Sequence, residues 1–221
     1  EPFIDQSYKD LANYVSAYEQ KMGMKRESIA NKAIWTGKKH YIMNVFDSEG
    51  VRYKEPKLKM MGIESVRSST PKVCRDAIKE ALEVLMKEGE KPLRDYVDDF
   101  ENRFREMPFE DVAFPRGCRY IRKWSSASDI YRKGTPIHVR GALLYNHYLK
   151  EKNITLRYSD IKEGEKIKFV YLKKPNVIRE NVISFLDVVP KEFGIHEYVD
   201  YDLMFEKVFL DPIEIMVQSL G

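Results

Sequence analysis

The chain has 221 residues, 43% of them hydrophobic and 33% charged, and a formal net charge of +3. That length exceeds one average domain and the apolar share is ample for a core, which excludes wholesale disorder. No apolar run approaches bilayer-spanning length, and no secretory leader is visible. The only cysteines, Cys74 and Cys118, lack metal-site spacing and suit a reducing compartment. A start at Glu1-Pro2 instead of a methionine suggests a piece of a longer protein.

In chain order, Leu11, Tyr14, Val15, Tyr18 and Met22 recur at helical spacing and predict an amphipathic helix over 8–22. Trp35-Thr36-Gly37-Lys38-Lys39-His40-Tyr41 follows, at the mouth of a hairpin whose strands are expected at 40–47 and 51–58 around the turn Asp47-Ser48-Glu49-Gly50. In an extended stretch, Lys39 and Tyr41 share one face while Lys38 and His40 share the other. Thr70 as cap, Pro71 in the first turn and Gly89 at the end bound a helix with the core stripe Cys74, Ile78, Ala81, Leu82 and Leu85. A second helix from Pro92 turns Leu93, Tyr96, Val97, Phe100 and Phe104 inward, and the short connection predicts an antiparallel pair.

A loop rich in Arg, Gly and Ser occupies 115–135, after which Thr135-Pro136 opens another helix. Residues 165–172 alternate as a strand, with 182–188 as its candidate partner, and 199–220 reads as helix interrupted at Asp211-Pro212. The sum is α+β: a β-hairpin with a helix, then from about residue 66 a mainly helical part with a small antiparallel β element.

The small net charge hides strong segregation. Residues 32–79 carry +6, 80–111 carry −6, 112–179 carry +11 and 180–221 carry −7. Basic stretches interleaved with Tyr, Trp, Ser and Thr have the footprint of phosphate-backbone binding, with the acidic 80–111 block turned to solvent. Other chemistries are poorly supported. Lys38 lacks the glycine and hydroxyl spacing of a phosphate loop, and His40, His138, His147 and His196 show no metal-ligand pairing. Asp200-Tyr201-Asp202 imitates a two-aspartate site but leads straight into an amphipathic helix, so helix capping is expected. His138, in the first turn of its helix, suits a phosphate contact or local capping equally. Trp35 and Trp124 are expected to be packing anchors.

Five stretches, in order, resemble the family B DNA polymerases, in particular the replicative polymerases of T-even-like tailed phages. They are Thr36-Gly37-Lys38-Lys39-His40-Tyr41, Glu55-Pro56-Lys57-Leu58-Lys59-Met60-Met61-Gly62-Ile63-Glu64, Ser68-Ser69-Thr70-Pro71, Ser125-Ser126-Ala127-Ser128 and His138-Val139-Arg140-Gly141-Ala142-Leu143-Leu144-Tyr145-Asn146. The departure is His40, where the family pattern has an arginine. The resemblance implies that 1–66 end the palm domain and 67–221 form the thumb. It implies that Lys39 and Tyr41 contact primer-template duplex near the primer end, largely in the minor groove, whose acceptors are nearly independent of sequence. The other implied DNA contacts are Lys38, Lys57, Lys59, Arg67, Ser68, Ser69, Thr70, Lys72, Arg116, Ser125, Ser126, His138 and Arg140.

The same resemblance implies what lies elsewhere. The family's catalytic carboxylates stand upstream of the lysine motif, so these residues are expected to hold no cofactor and to catalyse nothing alone, with Mg2+ belonging to the parent enzyme. The expected partners are primer-template duplex, the remaining palm, fingers and exonuclease domains, and a sliding clamp reached by a tail beyond Gly221. No membrane is involved, and the expected setting is the cytoplasm of an infected bacterial host. The competing readings are a standalone, non-catalytic nucleic-acid-binding or interaction protein and a scaffold of acidic and basic faces without salt-sensitive affinity for duplex.

Overall fold

Ile34, Ile42 and Val45 supply the buried positions of a three-stranded antiparallel sheet, ordered β1-β2-β3. In the computed structural model, which describes residues 2–21 and 23–219, β1 spans Ser28–Gly37, β2 His40–Ser48 and β3 Val51–Met61. The sheet is therefore one strand larger than the expected hairpin. β1 escaped notice because Asn31 and Lys32 interrupt its apolar alternation and only Ile34 is buried. The β2–β3 turn lies at Glu49-Gly50, where both residues have positive φ (52° and 88°), as the two-residue hairpin turn that matches strand twist requires. Asp47, only 2% exposed, accepts the Gly50 amide and faces Arg26 and Arg52. On β3 the ladder skips between Arg52 and Lys57, and Pro56, which has no amide hydrogen to give, falls in that gap on an edge strand.

The helix ahead of this sheet, α1, runs over Pro2–Tyr14 and buries none of its residues. Val15 and Tyr18, expected within it, lie beyond its end and are exposed, and Met22 lies outside the described residues. α1 and the first sheet form one compact unit, which closes at Met61.

The second unit starts at Gly62. After a 3-10 turn at Glu64–Val66, α2 (Lys72–Lys87) and α3 (Glu90–Glu106) pair through Gly89, whose φ of 95° suits glycine. The Tyr96 hydroxyl donates to Glu80 at 2.8 Å across the pair, two residues equidistant from Glu88, as antiparallel helices require. Thr70 does not cap α2. Its side chain is buried, and Pro71 occupies the cap position without a side-chain hydrogen bond. A short α4 (Phe109–Val112) leads into β4 (Phe114–Gly117), which with β5 (Lys166–Tyr171) and β6 (Val182–Phe185) makes a second antiparallel sheet, ordered β4-β5-β6. The expected loop at 115–135 thus contains β4 and a one-turn α5 (Ile121–Trp124).

α6 (Ile137–Glu151) lies across this sheet. It approaches so closely at Gly141 that an added methyl group would stand 2.5 Å from Ser184 Oγ and 2.7 Å from Ser184 N. The tail is α7 (Tyr201–Phe205), a π turn at Glu206–Leu210, and α8 (Asp211–Gln218). Pro212 does not break the tail. It sits in the first turn of α8, where its missing amide hydrogen costs nothing, and the widened π turn precedes it. Phe100 and Phe104 of α3 pack on Phe205 and Phe209 with ring centroids 4.7–6.0 Å apart, tying the tail to the helical pair.

Candidate nucleic-acid interface

Lys38 and Lys39 form the two-residue turn between β1 and β2, not part of a strand. Lys39 takes a positive φ of 58°, and both side chains are exposed. The expected split of Lys38 and Lys39 onto opposite strand faces is therefore overturned, because the alternation of side chains ends where the ladder ends. Tyr41 is a true strand residue, half-buried, paired across the sheet with Trp35 on one side and Met61 on the other. Trp35 is 62% exposed, so it is no packing anchor, whereas Trp124 is half-buried. Beside the turn, Thr36 Oγ1 bonds His40 Nδ1, which ties the two strand ends together. The first unit thus projects two adjacent ammonium groups from a pinned, narrow turn.

Two further lysines of this unit are on β3. Lys57 is exposed, its ammonium 4.2 Å from the centroid of the Tyr53 ring. Lys59 pairs with Glu27 at 2.6 Å, which holds the Lys59 ammonium above its ordinary pKa range and the Glu27 carboxyl below its own.

In the second unit the expected contacts divide. Arg67 is paired with Glu64 at 2.8 Å, Ser68 and Lys72 are exposed, and the Ser69 carbonyl accepts the Arg116 guanidinium at 2.6 Å. Thr70 is too buried to meet a ligand. Ser125 Oγ donates to the Arg122 carbonyl, while the Ser125 carbonyl receives Arg132 Nε. Ser126 Oγ accepts the Asp129 amide, so both serine hydroxyls shape their own loop. Arg140 donates to Asn181 and lies over the Tyr131 ring, 5.6 Å from its centroid. Arg116 and His138 come together against Phe169, at 5.8 Å and 6.5 Å from its ring centroid. Phe169 belongs to the strand read at 165–172, but its alternation alone did not mark it as a site residue; it stacks on Phe114, two residues before Arg116.

Among the described residues, no group of three or more His, Cys, Asp or Glu side chains could hold a metal ion. The Asp200-Tyr201-Asp202 pair is engaged otherwise. Asp200 caps α7 by accepting the Leu203 amide at 3.1 Å, and Asp202 is bridged by Lys173 and Arg105, which hold its carboxyl below the usual range. Both carboxylates are thus committed to a helix cap and an ion-pair cluster. Among the described residues no helix is long and apolar enough to cross a membrane.

No protein-family model matches the chain. Individual relatives do. The chain is 30% identical over its whole length to the DNA-directed DNA polymerase of Enterobacteria phage T4. It is 34% identical over 97% of its length to the DNA-directed DNA polymerase of Escherichia phage RB69. The resemblance to T-even-like phage polymerases holds. The chain spans about a quarter of the length of either polymerase. The motifs of this polymerase-related segment also have structural reasons. Gly141 allows a close approach of α6 to β6, and the Asn146 side chain brackets Ile161, donating to its carbonyl and accepting its amide.

Proposed function

We propose that this chain is the primer-template-binding portion of a phage replicative DNA-directed DNA polymerase, with 1–66 closing the palm and 67–221 forming the thumb. The observation that carries the reading is similarity to two phage polymerases along essentially the whole chain. The parent enzyme would transfer nucleotides from deoxynucleoside triphosphates to a primer 3′ hydroxyl, with Mg2+ bound by carboxylates outside these residues. The missing polymerase domains and a sliding clamp are its proposed protein partners, and the cytoplasm of an infected bacterium its setting. In this reading Lys39 and Tyr41, with Lys38 at the same turn, meet the duplex near the primer end, and the cations of the second unit grip the backbone, positioning it without reading sequence.

The purified chain should bind duplex DNA of any sequence. If about four phosphates are neutralised, log affinity should fall against log salt with a slope near −3.6. It should extend no primer with magnesium or manganese. Binding that ignores salt would favour the acidic-basic scaffold, and template-dependent incorporation by this chain would overturn the assignment of catalysis to other segments.

A further inference from the structure

One corner of the second unit holds a guanidinium and an imidazole that, among the described residues, have no acidic partner. Arg116, on β4, is half-buried and donates only to the carbonyls of Ser69 (2.6 Å) and Pro115 (2.8 Å). Arg67, Arg103, Arg105 and Arg157 pair with carboxylates, whereas Arg116, like Arg132, has neutral backbone acceptors alone. His138, on the first turn of α6, rests against the same Phe169 ring, and its recorded hydrogen bond uses the backbone carbonyl, which accepts Ser184 Oγ at 2.8 Å. Around the pair, β4 contributes Arg116, β5 contributes Tyr171, β6 contributes Ser184 and the loop before α2 contributes the Ser69 carbonyl. No carboxylate acts on either group. Burial holds the His138 imidazole below the ordinary histidine range, and the nearby Arg116 charge lowers it further. Protonating His138 near the Arg116 charge in this half-buried corner is costly, and an oxyanion held by both groups removes that cost.

We propose that Arg116 and His138 form an oxyanion site that takes one phosphodiester of duplex DNA together with one proton from solvent on His138. This rests on the reading of the chain as a duplex-binding segment. Below the pKa of the free imidazole, both states are protonated and the complex is at its tightest. As pH rises through the higher pKa of the complex, the proton is lost and affinity falls to that of a neutral histidine.

The test compares duplex affinity of the whole chain and of His138→Gln from pH 5.5 to 8.5 at one low salt concentration, with histidine ring resonances followed in parallel. A binding-induced rise of one pKa unit at His138, about 1.36 kcal/mol, gives about tenfold tighter binding at the acid end. The variant should lack that component, its affinity changing with pH only as the remaining histidines dictate. His40, His147 and His196 remain in it and account for any shared pH dependence. Equal pH dependence in both proteins overturns the site. The resonances decide the case without a variant, because inorganic phosphate and duplex should each move the His138 titration to higher pH. A shift with phosphate but no duplex binding at any pH retains the oxyanion site and defeats the duplex reading. A His138 titration that neither probe moves defeats the site even where duplex binds elsewhere.

Discussion

At the scale of single residues, the two turn lysines make the sharpest case. Both stand at one tip, so Lys38→Ala and Lys39→Ala should each reduce the salt slope of duplex binding by about 0.9, without distinction of face. Lys39→Gly should lose the same charge and yet raise stability by about 0.5–1 kcal/mol. The left-handed backbone that Lys39 now adopts is strained for any residue with a β-carbon, and glycine's larger entropy loss offsets part of the relief. Affinity titrations over a salt series, with urea melts beside them, separate charge from strain. A much larger binding loss at one lysine than at the other would show that the tip meets DNA asymmetrically. Gly141 gives a prediction of opposite sign. Alanine is the better helix former by about 1 kcal/mol, but its methyl group would press on Ser184 backbone, which cannot rotate away. Gly141→Ala should therefore destabilise the chain by about 1–3 kcal/mol in urea unfolding. Neutral or higher stability would mean that α6 can lift from β6 freely.

Elements differ in how openly the sequence declares them. Helices with long apolar stripes were legible: α2 and α3 fall where Cys74, Ile78, Leu82, Leu93, Phe100 and Phe104 place them, and all six are buried. β5 and β6 were legible from alternation and mutual pairing. β1 was not, because a strand with one buried side chain has no alternation to read. The Lys38-Lys39 turn was missed for the same reason: without β1, nothing marked the start of β2 as one side of a tight turn. Among the site residues, Arg116 and His138 were named from sequence, but their meeting at Phe169 depends on how α6 crosses the second sheet, a long-range fact. The capping reading of Asp200 was local and held. Asp200→Ala should accordingly cost about 1 kcal/mol of stability and leave duplex affinity unchanged. Loss of binding in a folded Asp200→Ala protein would return that aspartate to the list of functional groups.

At the scale of the whole molecule, charge is arranged by unit and by element, not spread evenly. The acidic 80–111 block coincides with α3 and its neighbours, where Arg103 answers Asp99 and Arg105 answers Glu101, each pair one helical turn apart. The basic 112–179 stretch holds Arg116, Arg140 and the α5 loop, where several cations bond neutral groups instead. Internal neutralisation in the acidic block, and cations bonded to neutral groups in the basic one, leave the basic stretch with the more positive local field.

The free edge of β3 carries a different implication. An unpaired strand edge is a template on which a second chain can add, and such edges are commonly blunted by lysine and proline. β3 has Lys54, Pro56, Lys57 and Lys59 along that edge, with the ladder to β2 already interrupted near Pro56. These lysines thus serve solubility whether or not they touch DNA. Replacing Pro56 by valine and Lys54 and Lys57 by threonine should restore a continuous, uncharged border, and light scattering at rising protein concentration should report self-association that the parent chain avoids.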